Sequence, residues 1–210
     1  DMDRLQKVAA ARGITIVGQQ FYPLDTIDFM PVYTKALAAK PDVIHSMTSG
    51  QEGYELRSAR QLGFKGPFFW DSPTPADDVI ELAGKEYSYN LFGNGLAVEN
   101  FSPGLIEATQ RLKKKYNEPA RAFGIGVYGW IQAEAFVQAI KKAQSVLPEK
   151  ILAAFDSMTK EGSFNTSFGP AHMGGAERFG VDRVLIRPLP LLSVEKGNIK
   201  FEGFKMPVTP

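Results

Sequence analysis

The stretch Phe29-Met30-Pro31-Val32-Tyr33-Thr34-Lys35-Ala36-Leu37, running on into Lys40-Pro41-Asp42-Val43-Ile44, decides the fold class. Phe29, Val32, Tyr33, Ala36 and Leu37 recur at the i, i+3, i+4, i+7, i+8 spacing of an amphipathic helix. The spacing predicts a helix over residues 26–39, capped by Asp25 or Thr26. Pro41 stops it, and a short β-branched run follows at once. Ile14-Thr15-Ile16-Val17 before it and Phe68-Phe69-Trp70 after the next helix also read as strands. The resulting β-α-β-α-β rhythm implies a parallel sheet flanked by helices. Ligands of such sheets sit at the carboxyl ends of the strands, so the loops after Ile44 and Trp70 are the places to examine.

Outward from this core, the next predicted helix turns Leu56, Ala59 and Leu62 inward, shows Arg57, Arg60 and Gln61 to solvent, and stops at Gly63. A short helix over residues 77–83 precedes a strand over 91–98. Ser102-Pro103, a capping residue followed by proline at the first helical position, then opens a region that reads as nearly all helix to Thr159. Its apolar stripes are Leu105, Thr109, Leu112 and Tyr116, then Trp130, Ala133, Val137 and Ile140, then Ile151, Leu152 and Phe155. Strands are expected to return only over residues 183–194 and 199–204, joined by a hairpin turn at Glu195-Lys196-Gly197-Asn198. Residues 1–98 and 181–210 therefore read as one lobe. Residues 99–180 read as helices of another lobe whose sheet is missing, because apolar stripes of this size need a cover.

Composition narrows the function. The 210 residues carry a net charge of +1, 44% hydrophobic and 22% charged residues, which is ordinary for a globular chain and gives no footprint for nucleic acid. Lys113-Lys114-Lys115, the one basic run, reads as a solvated helix face. With no cysteine, thiol catalysis, disulfides and zinc-thiolate sites are all excluded. Asp1-Met2-Asp3-Arg4 leads straight into a helical pattern, so the chain is expected to be a piece of something longer.

The order of these elements resembles the periplasmic branched-chain amino-acid (leucine/isoleucine/valine-type) binding proteins of ABC transporters, with their two-lobe type I periplasmic-binding fold. The residues that carry the resemblance are Phe29 to Leu37 into Pro41-Asp42-Val43-Ile44, the run Leu56-Arg57-Ser58-Ala59-Arg60-Gln61-Leu62-Gly63, and Gly66-Pro67-Phe68. Phe123 with Tyr128, and Phe168-Gly169-Pro170, extend it. The resemblance implies an α/β chain with an incomplete first lobe. Residues 1–98 form the second lobe without its first strand, 99–180 the helical tail of the first lobe, and 181–210 the return to the second. It also implies a periplasmic or other extracytoplasmic location, with a lipid anchor as a variant of it. The partners implied are ABC permease subunits, the missing N-terminal segment of the chain itself, and a small-molecule ligand. No cofactor is implied.

Carried onto this sequence, the loop Ser46-Met47-Thr48-Ser49-Gly50 lines the cleft, with Met47, Thr48, Ser49 and Gly50 as ligand contacts. In the loop Trp70-Asp71-Ser72-Pro73, the family places an acid to pair with the ligand α-ammonium. Asp71 and Ser72 compete for that position: Asp71 there favours an amino acid, Ser72 a carboxylate without an amine. Trp70 lies beside them, and Phe123 matches an aromatic that packs on the ligand side chain. His45, on a strand, is expected to be a satisfied core histidine.

Three further patterns carry less. Gly124-Ile125-Gly126-Val127-Tyr128-Gly129 fits Gly-x-Gly-x-x-Gly, but no strand pattern precedes it, so a dinucleotide site is not expected. Asp77-Asp78 with Glu81 reads as first-turn acids favoured by the helix dipole. His45 and His172 lie too far apart in sequence to suggest a metal site. The expected function is uptake of an aliphatic or aromatic amino acid without chemistry, and the isolated piece is expected to bind weakly or not at all. The alternatives are a small organic carboxylate, a ligand-sensing domain, or a hydrolase using Asp71 with Ser72.

Overall fold

The structure, a computed structural model, describes residues 2–48, 50–72, 74–95, 102–117 and 124–207. The described chain divides into two compact units: residues 2–93 and 193–199 belong to the first, and residues 94–192 and 200–207 to the second.

In the first unit, α1 (Met2–Ala11), α2 (Met30–Ala38), β1 (Ile44–Ser46), α3 (Glu52–Gln61), β2 (Phe68–Trp70), α4 (Ala76–Ala83) and β3 (Leu91–Asn94) succeed one another. β1 pairs parallel with β2, and β2 with β3, in the registers Ile44–Phe68 and Phe68–Leu91. Parts of β7 (Leu189–Glu195) and β8 (Asn198–Lys205) continue the sheet in the order β1-β2-β3-β7-β8. The predicted turn between these last strands is present, with Lys196 and Gly197 both at positive φ as a tight hairpin requires. Leu56, Ala59, Phe68, Trp70, Val79 and Leu91 form the core of this unit. Each is worth about 1.5–3 kcal/mol of burial where the side chain is large.

Four expectations change here. The helix predicted over 26–39 begins only at Met30, because the Thr26 hydroxyl turns back to the Pro23 carbonyl and Asp28, not Asp25 or Thr26, accepts from the Met30 N–H. Ile14–Val17 joins no ladder, since among the described residues no strand lies beside it. His45 is exposed, because β1 is an edge strand and residue 45 alternates away from buried Ser46. Arg60 is buried. Its guanidinium donates to the carbonyls of Phe64, Gly66 and Tyr89 and stacks over the Tyr89 ring at 4.2 Å. A fork of fixed donors can be satisfied by carbonyls alone, which is how an arginine comes to lie inside.

The second unit holds α5 (Pro103–Tyr116), α6 (Gly124–Ala143), α7 (Pro148–Asp156), β4 (Phe164–Thr166), β5 (Gly169–Gly174), α8 (Ala176–Phe179) and β6 (Val184–Ile186), with the remaining parts of β7 and β8. Ser102 caps α5 as expected, accepting from the Leu105 N–H. The expected absence of strands before residue 183 is wrong: β4, β5 and β6 make a three-stranded sheet, paired antiparallel in sequence order. Phe164, Ala171 and Met173 of that sheet pack on Ala135, Ala139, Ile151 and Ala154, so α6 and α7 have a sheet of their own to cover. A second cluster joins Leu105, Ala108, Val127, Ile131 and Phe168. The buried stripe of α6 is thus Val127, Ile131, Ala135 and Ala139, one step round from the expected one. Val137 and Ala133 face solvent, and Tyr116 and Leu152 are exposed on α5 and α7. Gly126 and Gly129 lie within α6 and not in a phosphate-cradling loop, so the Gly-x-Gly-x-x-Gly match carries no nucleotide site.

Candidate functional site

Within the first unit, the loops after β1 and β2 meet the first turn of α3. The helix pattern places Glu52, Glu55, Leu56 and Ala59 on one face, and that face is inward: Glu52 is 0% and Glu55 1% exposed. Charges so buried need donors. Glu52 accepts from the Ser72 hydroxyl and from the Gly50 N–H at 2.9 Å, and its Oε2 lies 3.1 Å from the Thr74 hydroxyl. Glu55 accepts from the hydroxyls of Tyr22, of Tyr33 at 2.8 Å, and of Thr48 at 2.7 Å. The positive end of the α3 dipole favours both acids where they stand.

These contacts tie four segments together. Glu52 fastens the β2 loop to the β1 loop through Ser72, Thr74 and Gly50, whose φ of 88° suits glycine. Glu55 fastens Thr48 to Tyr22 and to Tyr33 of α2, and the Gln51 amide holds the carbonyls of Leu24 and Thr26. Burial, and then the carboxylate of Glu55, push the Tyr33 phenol well above its ordinary range. Burial and the hydrogen bond to Glu55 do the same for Tyr22. Both phenols therefore stay protonated and remain donors at neutral pH.

The predicted site residues separate on this frame. Thr48 and Gly50 belong to the network just described. Ser72 is buried with its hydroxyl committed to Glu52. Asp71 is exposed; its N–H continues the ladder to the Ser46 carbonyl, and its carboxylate lies 3.8 Å from His45 Nε2. The pairing of Asp71 with Ser72 that a hydrolase would need is not formed. Met47 is exposed, and Trp70 is core, its indole N–H donating to the Thr74 carbonyl. Ser49 and Phe123 lie outside the described residues. Glu52, Glu55, Tyr22, Tyr33 and Thr74 were not expected. The signal for the acids was present: they share the helix face of Leu56 and Ala59. Among the described residues, no group of three His, Asp or Glu side chains could hold a metal ion.

Among the described residues, the arrangement is thus a polar cradle at the carboxyl ends of parallel strands, without an assembled nucleophile and base. A model of the periplasmic binding proteins matches residues 2–198. The chain belongs to the periplasmic binding protein family. This is a family of extracytoplasmic solute-binding proteins, and among the described residues no helix is long and apolar enough to cross a membrane. The Leu/Ile/Val-binding protein homolog 7 of Brucella abortus is 29% identical over 140 residues, which is 63% of this chain and 35% of that protein. The chain spans about a third of the length of that curated relative.

Solved structures of the same fold include a putative branched-chain amino acid ABC transporter from Rhodospirillum rubrum, at TM-score 0.70 and 17% identity over 95% of this chain and 55% of that one. Another is a branched-chain amino acid ABC transporter protein from Thermus thermophilus with bound valine, at TM-score 0.67 and 18% identity over 100% of this chain and 56% of that one. The chain is thus a partial member of the type I periplasmic-binding fold.

Proposed function

We propose that this protein is the ligand-binding part of an ABC uptake system and binds an amino acid of branched-chain or aromatic type. The observation that supports it is the pair of loops after β1 and β2, held by Glu52 and Glu55 at the strand ends where ligands of such sheets sit. The relatives named for leucine, isoleucine and valine, and the solved one with bound valine, favour an aliphatic side chain.

On this reading, Asp71 pairs with the ligand α-ammonium. Ser72 spends its hydroxyl on Glu52, whereas the Asp71 carboxylate is exposed at the end of β2. Thr48 and Gly50 border the ligand from the neighbouring loop. The two units act as parts of the two lobes of the intact protein, and ligand shifts the balance toward closure. The closed form docks on the permease, and the protein does no chemistry.

Calorimetric titration of the intact protein with valine, isoleucine, phenylalanine and benzoate tests this. Binding of the amino acids, weakened about 30-fold or more by Asp71→Asn once the ammonium is desolvated, is expected. Binding of benzoate alone, or Asp71→Asn binding valine as tightly as the parent, would remove the amino-acid reading. Any ligand recovered chemically altered would remove the assignment as a binding protein.

A further inference from the structure

Arg60 and Arg187 are both withdrawn from solvent, and burial lowers the pKa of each. Arg60 has its fork filled by three carbonyls. Arg187, in the second unit just past β6, does not. Among the described residues its one hydrogen bond runs from Nη1 to the carbonyl of the next residue, Pro188, at 3.2 Å. A guanidinium carries five N–H donors in a fixed fork. Those on Nε and Nη2 have no acceptor among the described residues, and no carboxylate there pairs with the charge. They are not sealed in either, since the one fully buried side-chain polar atom left without a partner is His172 Nδ1. The open half of the fork therefore reaches solvent.

The cation is also held in place. Its central carbon stands 5.0 Å from the Tyr128 ring centre and 5.1 Å from that of Phe168. The two rings meet edge to face, with centroids 5.9 Å apart and planes at 85°. Phe168 is fixed in the buried cluster with Leu105, Val127 and Ile131, and the Tyr128 hydroxyl donates to Asn94 Oδ1 at 3.0 Å. Ring faces attract a cation but cannot accept from its fork in the way an anion does. Rotamer freedom of Arg187 is thus already restricted before anything binds, which lowers the cost of ordering it on a ligand. Beyond Phe168 lies the ring of Phe204, 5.5 Å away and 38% exposed, so apolar surface adjoins the open cation.

We infer that Arg187 anchors a second ligand site, contained in the second unit, which takes a carboxylate carried on an apolar group. Two N–H groups of the fork match the two oxygens of a carboxylate in parallel, a geometry that a lysine cannot reproduce. The exposed Phe204 ring receives the apolar remainder. Inorganic phosphate could meet the fork but would leave that ring uncovered. No residue of this site belongs to the cradle of the first unit, so the inference does not depend on what the cradle binds.

Calorimetric titration of the intact protein with phenylacetate, acetate and inorganic phosphate, each with and without excess valine, tests this. Phenylacetate should bind about 10-fold or more tightly than acetate or phosphate, because its ring is buried as well. Valine should leave that affinity unchanged. Arg187→Lys keeps the charge but loses the fork, and should weaken phenylacetate about 10-fold or more without altering the affinity for valine. Phe204→Ala should weaken phenylacetate about 10-fold and leave acetate as it was. Urea midpoints establish that both variants are folded. Phenylacetate that fails to bind, that is displaced by valine, or that binds Arg187→Lys as tightly as the parent would overturn the inference, as would phosphate binding more tightly than phenylacetate. Valine titrated alone reports on the cradle, so a failure there is read separately.

Discussion

The Thr48 hydroxyl, in the loop after β1, donates to the Glu55 carboxylate across 2.7 Å. A loop residue is thereby held by a side chain that lies inside the protein, and the same is true of Ser72 on Glu52. Loops carry function when a rigid scaffold positions them. Here the scaffold reaches out through two acids in the first turn of α3.

Glu52→Ala should be severe. It removes the carboxylate shared by the Ser72 and Thr74 hydroxyls and the Gly50 N–H, leaving them only their bonds to one another, and it leaves a cavity. Loss of about 3 kcal/mol in urea unfolding is expected, whereas Glu52→Gln, which keeps the shape and one acceptor oxygen, should lose about half as much. Equal losses for the two variants would show that shape alone matters there.

Alkaline pH should weaken the first unit through its tyrosines. Tyr22 and Tyr33 have phenols raised above the ordinary value of 10.0, by burial first and then by Glu55. A group whose folded pKa is raised contributes stability that is full below the unfolded value and lost as pH climbs through the folded one. Stability should therefore fall above about pH 10. Tyr22→Phe and Tyr33→Phe should each cost about 1–2 kcal/mol at pH 7 and flatten that fall. Their losses should not add, because both hydroxyls serve one carboxylate. Urea midpoints between pH 7 and 11 for the single and double variants check this.

Gly93→Ala should disrupt the sheet. A Cβ at Gly93 would overlap the Trp70 ring, and both residues are buried in adjacent parallel strands. Overpacking of a large, enclosed ring costs about 3 kcal/mol. A lowered melting temperature with a shifted Trp fluorescence maximum is the expected result. Unchanged emission would place the indole elsewhere.

Arg60→Lys is not a conservative change here. The guanidinium bonds to the carbonyls of Phe64, Gly66 and Tyr89 at 2.9, 2.8 and 2.6 Å, a span one ammonium cannot cover. Burial also lowers its pKa, and a lysine there would be pushed down further relative to neutral pH. A loss of about 2–4 kcal/mol is expected, measured by urea unfolding.

The sequence by itself determined the β-α-β rhythm, the start of α5 at Ser102-Pro103, the stop of α3 near Gly63 and the β7–β8 turn. These follow from local chemistry: caps, proline, positive φ and helical periodicity. It also held the inward placement of Glu52 and Glu55, since both fall on the face of Leu56 and Ala59. What those acids bind was not legible, because Tyr22, Ser72 and Thr74 are about 20 or more residues away or on other elements. Tertiary structure alone decided that β4 and β5 form a sheet, that Arg60 lies inside, and that, among the described residues, Ile14–Val17 pairs with no strand. Strand formation depends on the neighbour that pairs with it, and a buried charge on donors or acceptors brought from elsewhere. Both are settled only when distant segments meet.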